Sequence, residues 1–184
     1  MKDSYDFLNY ADSLLQTGVS SSIHPFHQLY IASTNEDYPE LRTVVLRKWS
    51  LTRRTIAFHS DSRSSKISQL QDNPHCSILF YSKEDRLQLR FKCFAHIHQN
   101  DRLADYFYSK TTDFQQECYR SSISPGTKLL DKQFPRSIDP RQNFSVVICN
   151  FNDLDLLFLN KDSHKRIVYH WDSEGTQSNH FVQP

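Results

Sequence analysis

The stretch "RLQLRFKCFAHIH", Arg86 to His98, restricts the fold more than any other part of the chain. Leu87, Leu89, Phe91, Cys93, Ala95 and Ile97 alternate with Gln88, Arg90, Lys92, Phe94, His96 and His98. Successive side chains of a strand point to opposite faces, so a sustained period of two predicts one long strand with a single face in the core. Its other face is polar at Gln88, Arg90 and Lys92. The chain must therefore build a sheet that is apolar on one side.

The remaining segments supply that sheet. "FHQLYIAST", "LRTVVLRKW", "TIAFHS" and "HCSILFY" read as strands before it, and "FSVVICNF", "LDLLFL" and "KRIVYHW" as three strands after it. In the second of these, Arg42, Val44 and Leu46 fall on one side and Thr43, Val45 and Arg47 on the other. Asp3 or Ser4 caps a first helix with Phe7, Leu8, Ala11, Leu14 and Leu15 on one face, and Gly18 ends it. A short helix runs through Ile67 and Leu70 until Pro74 forbids its continuation. Residues 101–122 read as one or two helices, and 123–143, with three prolines and Gly126, as a long loop. Strands joined by few residues favour antiparallel pairing, which predicts a mainly β (α+β) barrel or sandwich with helices alongside. A chain of 184 residues with 13 Phe and 9 Tyr fits one domain over 1–184 with an aromatic core.

Charge is close to balanced, 22 basic against 21 acidic residues, which gives no support to binding nucleic acid or a membrane through bulk charge. No run is apolar enough to span a bilayer, and "MKDSYDFLNYADSLLQ" lacks the apolar core of a secretory signal. Cys76, Cys93, Cys118 and Cys149 form no CxxC pair, so the expectation is buried free thiols in a reducing cytoplasm. His24 and His27, or His96 and His98, have spacings that suit a metal but no third ligand in view, so no metal is expected. There is no GxSxG elbow. "RKWSLTRR" sets cations around Trp49 and reads as a solvated turn.

Only three glycines occur, Gly18, Gly126 and Gly175, so neither a GxGxxG fingerprint nor a Walker loop exists. An anion must then be held by side chains and a helix start. "SDSRSSK", Ser60 to Lys66, is the candidate. If a helix begins near Ser64, its first amides point outward at the positive end of the dipole, and Ser60, Ser64, Ser65, Arg63 and Lys66 complete an anion cradle. The plain alternative is a capped helix start on a wet surface. Arg42 lies one strand upstream and Gln88 two strands downstream, so a phosphate-bearing ligand with a hydrogen-bonding ring suits the three together.

"RTVVLR", then "FHSDSRSSKISQLQDNP", then "LQLRFKCFA", in this order and spacing, resembles the core of pyridoxamine 5′-phosphate oxidases and their relatives, the FMN-binding split β-barrel family. The resemblance runs from about Phe26 to Ala95 and continues weakly through "YFYSK" to the C-terminal strands. It implies a barrel core over about 24–122, with strands from 144–184 completing the barrel and a homodimer whose FMN sites lie at the subunit interface. It also implies that Arg42 and Lys66 hold the flavin phosphate and that the backbone of Thr43, Val44, Val45 and Leu46 lies along the ring. His59 and Ser60 match an aromatic–hydroxyl pair that touches FMN. Ser65 stands where many members carry arginine, a charge that Arg63 is placed to replace. Gln88 matches a glutamine that hydrogen-bonds the ring, and Ser124 a serine that reaches FMN from the partner chain.

On the substrate side, Arg47 matches a lysine, Tyr106 a phosphate-binding tyrosine and Lys110 an arginine, while Arg166 keeps the first half of an Arg-x-His pair. Phe114 replaces a serine, Val168 the histidine of that pair, and Leu157 stands where a tryptophan contacts FMN. The resemblance thus implies an FMN-dependent oxidoreductase, with pyridoxamine and pyridoxine 5′-phosphate as the leading substrates, and singles out no catalytic group. Two other classes stay open: a flavin-binding carrier or sensor without turnover, and a cofactor-free interaction protein on the same barrel.

Overall fold

A computed structural model describes residues 3–35, 37–129, 139–161 and 163–184. Eight strands are arranged around one barrel: β1 (Gln28–Thr34), β2 (Pro39–Ser50), β3 (Thr55–Asp61), β4 (His75–Ser82), β5 (Leu87–His98), β6 (Phe144–Phe158), β7 (Lys165–Trp171) and β8 (Gln177–Val182). Among the described residues, four α-helices accompany them: α1 (Ser4–Ser20), α2 (Ser65–Asp72), α3 (Arg102–Tyr108) and α4 (Asp113–Gln116). The strand order is β3-β2-β1-β4-β5-β6, and a further pairing of β3 with β6 closes a six-stranded antiparallel barrel. β7 and β8 extend the sheet beyond β6.

The alternation from Leu87 to Ala95 holds residue by residue: Leu87, Leu89, Phe91, Cys93 and Ala95 are buried, while Arg90, Lys92, Phe94 and His96 are exposed. The core is aromatic. Trp49 stacks on Phe151 with ring centroids 5.4 Å apart, and Phe91 meets Phe151 edge-on at 4.9 Å. Offset and edge-on contacts of this kind add to simple area burial because the ring quadrupoles are complementary. The indole N–H of Trp49 donates to Asp12 at 2.6 Å, which ties α1 to the barrel.

Three expectations are corrected. "FSVVICNF" and "LDLLFL" are one strand, not two: β6 runs 15 residues unbroken, pairing β3 with its first half, β7 with its second and β5 along both. Asn152 and Asp153 read locally as a turn, but ladders on both sides hold them extended, with a shift in the β5 register at Lys92/Cys93. β8, exposed almost throughout, has no apolar alternation and was not foreseen.

Gly18 does not end α1 but lies inside it. A β-carbon there would sit 2.5 Å from the carbonyl oxygen of Phe26, so glycine is required by close approach rather than by the turn. Gly18→Ala is expected to cost about 1–2 kcal/mol, because overpacking against immovable backbone outweighs alanine's helix propensity. A urea-denaturation midpoint equal to wild type would show that α1 shifts freely.

The loop expected over 123–143 is described only in part. Residues 123–129 carry no regular structure, Pro140–Asn143 form a 3₁₀ turn, and 130–138 lie outside the described residues. Among the described residues, no helix is long and apolar enough to cross a membrane.

Candidate functional site

The barrel splits between β2 and β3. Their ladder runs from Ser50↔Thr55 to Leu46↔Phe58 and stops there. Beyond it, Thr43, Val44 and Val45 pair only with β1, while His59, Ser60 and Asp61 pair only with β6. Backbone amides and carbonyls on the inner margins of the split are therefore left facing a cleft, and such groups require a partner. The cleft has a volume of about 520 Å³. Arg42, Thr43, Val44 and Val45 line one wall, His59, Ser60, Ser64, Ser65 and Lys66 another, and Tyr119, Pro125 and Gly126 border it.

Arg47 enters by a specific device. Leu46 pairs with Phe58 and Lys48 with Ala57, so Arg47 is the extra residue of a β-bulge. Bulges re-aim side chains, and this one lets both Leu46 and Trp49 stay in the core while Arg47 lines the cleft. Its Nε is buried and has no hydrogen-bond partner among the described residues. Burial pulls the guanidinium below its ordinary value, an effect the groups of Tyr119 and Cys118 oppose.

One end of the cleft gathers hydroxyls and a lysine at the start of α2. Ser64 is the N-cap of α2, yet its side chain makes no capping bond. Its hydroxyl turns to the Asp61 carbonyl at 2.8 Å and to Ser60 Oγ at 3.0 Å. Lys66 Nζ donates to Ser60 Oγ at 3.2 Å and Ser64 Oγ at 3.0 Å, and among the described residues it has no ion pair. Burial, and then the charge of Arg42, pull the lysine below its ordinary value, with Asp61 partly offsetting them. Asp61 itself is engaged by Arg63, whose Nε and Nη2 donate to its two oxygens at 3.0 and 2.7 Å.

Two cations thus lie near this helix start, Lys66 without an ion pair among the described residues and Arg42 already paired with Glu40. A dianionic phosphate would engage the helix amides, the hydroxyls and the Lys66 charge together. Two observations speak against plain wet capping of "SDSRSSK": Ser64, the N-cap, is buried, and its side chain makes no capping bond.

Arg42 is held in place from behind. Its Nη1 donates to Ser33 Oγ at 2.6 Å, and its Nη2 to Gln69 Oε1 at 3.0 Å and to Glu40. Ser33 and Gln69 are buried and bonded to each other at 2.6 Å. Sequence reasoning missed these supports. A buried glutamine beside Ile67 and Leu70 was the signal, and nothing local distinguishes it from a solvated one.

His59 packs edge-on against Phe144 and Phe107, at 4.8 and 5.7 Å. Burial, reinforced by the charge of Arg47, holds the imidazole neutral, with its pKa pushed down to about 3. Among the described residues, neither ring nitrogen has a partner. The chain thus presents three unpartnered polar atoms, Arg47 Nε and both nitrogens of His59, on residues that border the cleft, which fits a ligand rich in acceptors and donors such as a flavin ring.

The other sequence-derived residues fall elsewhere. Leu46 is fully buried in the core, so only its backbone is near the split. Ser124 accepts the Thr127 amide in a turn, next to Pro125 and Gly126 of the cleft border. Arg63 does not take the place of the missing arginine at Ser65: it is spent on Asp61 and the Ser121 carbonyl. Tyr106 and Lys110 form a cation–π pair at 5.8 Å on α3 and the turn after it, outside the cleft lining. Gln88 and Arg166 share a second hollow of about 540 Å³ on the outer sheet face, with Arg90, Asp155 and Val168. There Arg166 Nε and Nη2 donate to Asp155 at 3.0 and 2.7 Å, and Arg90 binds the same carboxylate.

Residues 9–99 match a family model described as the FMN-binding domain of pyridoxamine 5′-phosphate oxidase. No curated protein matches the chain. Among solved structures, a pyridoxamine 5′-phosphate oxidase-related, FMN-binding protein from Nostoc punctiforme superposes with a TM-score of 0.82 at 21% identity, covering 96% of each chain. PhzG from Burkholderia lata, in complex with tetrahydrophenazine-1-carboxylic acid, gives 0.70 at 17% identity over 96% of this chain and 92% of that one. A general stress protein 26-related protein from Clostridium acetobutylicum gives 0.61 at 12% over 89% and 95%. At these identities the superpositions establish the fold, which is the split barrel described above. The family match over the segment that carries the cleft adds the cofactor: the chain belongs to the pyridoxamine 5′-phosphate oxidase-like family of FMN-binding split-barrel proteins.

Proposed function

We propose that this protein is an FMN-dependent oxidoreductase that works as a homodimer. The observation that carries the reading is the Lys66 ammonium, held by two serine hydroxyls beside Arg42 at an uncapped helix start. Lys66, Arg42, Ser60, Ser64 and Ser65 hold the phosphate. The open backbone of Thr43 to Leu46, with His59, orients the ring.

FMN, when bound there, would supply two-electron redox chemistry between a substrate and an acceptor. Arg47 supplies a fixed positive charge next to the ring site, and Tyr119, buried and pushed up in pKa, stays a neutral phenol there. His59 stays neutral at any physiological pH, so it serves as a hydrogen-bonding surface and not as a proton carrier in turnover.

The placement of Gln88 and Arg166 supports the dimer. Within one chain they lie on a different hollow from the cleft. That outer face also exposes Tyr30, Leu41, Tyr81 and Phe94, at 39, 66, 45 and 42%. Such an apolar patch marks an interaction surface. A second copy seated on it brings Gln88 to the ring of the first copy's FMN, with Ser124 reaching the same site. The whole chain, 1–184, then acts as one FMN-binding unit, with β7 and β8 widening the contact.

Vitamin B6 phosphates are the leading substrates, with Tyr106, Lys110, Arg47 and Arg166 as the binding set, although Phe114 and Val168 remove two polar partners. The test is direct. The purified protein should carry flavin absorbance, and anaerobic addition of pyridoxamine or pyridoxine 5′-phosphate should bleach it. A yellow protein that neither compound bleaches would favour a flavin carrier or a different reductant. Gln88→Ala should leave FMN bound and shift the flavin reduction potential; an unchanged potential would place Gln88 away from the ring. A monomer by light scattering that retains FMN would contradict the shared site.

A further inference from the structure

Ser33 on β1 and Gln69 on α2 are buried polar side chains, at 2 and 7% exposure. Gln69 stands among Ile67 and Leu70, both core residues, where an apolar side chain would avoid the cost of desolvating an amide. Among the described residues, every side-chain hydrogen bond of the two goes to the other, to Arg42 or to Glu40. Arg42 Nη1 donates to Ser33 Oγ at 2.6 Å, Ser33 Oγ donates to Gln69 Oε1 at 2.6 Å, and Arg42 Nη2 donates to the same Oε1 at 3.0 Å. The three side chains thus close a ring. Because Oε1 serves the ring, the amide nitrogen of Gln69 is left for Glu40, and its hydrogen bond is the main force holding that carboxyl below its ordinary value, with Arg42 acting in the same sense.

The ring fixes an orientation. A guanidinium carries five N–H groups in one plane. Three are spent, one of Nη1 on Ser33 and both of Nη2 on Gln69 and Glu40. Nε–H and the second Nη1–H have no partner among the described residues, on a side chain that lines the cleft. Gln69 also belongs to the eight-residue helix whose first turn carries Ser65 and Lys66. One amide therefore sets both the plane of the guanidinium and its distance from the start of α2. A free arginine would lose rotamer freedom on meeting a phosphate, whereas this one is already ordered. Gln69 itself lines no part of the cleft; it borders a separate hollow with Thr34 and Asn73.

We propose that Gln69, together with Ser33, is a positioning residue that sets the selectivity of the cleft for phosphorylated flavin over riboflavin, acting through Arg42 and touching no ligand itself. The inference rests on the reading that Arg42 and Lys66 hold the FMN phosphate.

The test titrates the flavin-free full chain with FMN and with riboflavin, and takes the ratio of the two affinities. Gln69→Met keeps the length of the side chain and removes both hydrogen-bonding ends. It should weaken FMN about tenfold, through the charged hydrogen bond it withdraws from Arg42, and leave riboflavin within about twofold. A glutamine that only supported the fold would move both flavins alike. In an Arg42→Ala background, Gln69→Met should change the ratio no further, because the residue through which it acts is gone. Ser33→Ala breaks the same ring from β1 and should lower the ratio in the same way; it carries the test if Gln69→Met does not fold.

Lys66→Met is the control for the phosphate site. If Lys66→Met and Arg42→Ala lower the ratio while Gln69→Met and Ser33→Ala do not, the phosphate reading stands and this proposal is overturned. A further loss on adding Gln69→Met to Arg42→Ala would overturn it as well. If none of these variants changes the ratio, the phosphate lies elsewhere and both fall.

Discussion

Lys66→Met is expected to weaken FMN binding about a hundredfold while leaving the flavin-free protein at least as stable as wild type. The two halves of this result come from one cause. In the absence of an anion, the Lys66 ammonium is half-buried against hydroxyls and repelled by Arg42, which is why its pKa is drawn down. Replacing a buried charge that lacks a counter-charge with an apolar stem of similar length does not cost stability.

With a phosphate present, the same ammonium becomes one side of a desolvated charge pair. Truncating one partner of such a pair costs about 2–5 kcal/mol, and each 1.4 kcal/mol is about tenfold in affinity. Titration of flavin-free protein with FMN, alongside urea denaturation, reads both quantities. Arg42→Ala should also release FMN but should destabilise the fold, because Arg42 ties Ser33, Glu40 and Gln69 together. Unchanged flavin affinity in the Lys66→Met/Arg42→Ala double variant would remove the site assignment.

The second large effect concerns pH. His59 has its folded-state pKa pushed from 6.5 to about 3 by burial and by Arg47. As pH falls below 6.5 the unfolded chain takes up a proton at this position and the folded chain does not. Stability is therefore whole above 6.5 and is lost progressively as pH falls toward 3, by at most about 1.4 kcal/mol per pH unit.

The carboxylates of Glu40, Asp101 and Asp155 are all held below their ordinary values. Their own losses thus begin at lower pH and leave a window near pH 4.5–6.5 in which His59 contributes alone among these groups. His59→Phe keeps the edge-on packing against Phe144 and Phe107 and removes the titration. The loss of stability between pH 6.5 and 4.5 should shrink by about 2 kcal/mol in that variant, read from urea midpoints at the two pH values. Equal losses in variant and wild type would show that His59 opens to solvent in the folded protein.

These expectations show where sequence and structure part company. The alternation from Leu87 to Ala95 named its buried residues correctly because side-chain direction in a strand is a local property of the backbone. The composition of "SDSRSSK" named the hydroxyls, the cation and the helix start for the same reason. The split between β2 and β3 was not legible. It depends on Leu46 and Phe58 being the last pair of one ladder while β3 continues along β6, residues nearly a hundred positions away.

Arg47 was placed beside Thr43 and Val45 by simple alternation, but the bulge that sends it into the cleft shows only in the register. Arg63 looked free to replace a missing charge, yet Asp61, two residues away, claims it, because a two-point contact with a nearby carboxylate outweighs a solvated approach to the cleft.

The sequence by itself determined β1 to β5 and β7, which faces are apolar, the aromatic core and the cluster of hydroxyls and cations at the start of α2. These follow from periods and residue types that act within a few positions. Only the tertiary structure decided where the barrel opens, which cations remain uncommitted inside it and which buried side chains hold Arg42. Each of those depends on register and closure between strands distant in the chain, and on a competition among nearby charges that distance alone settles.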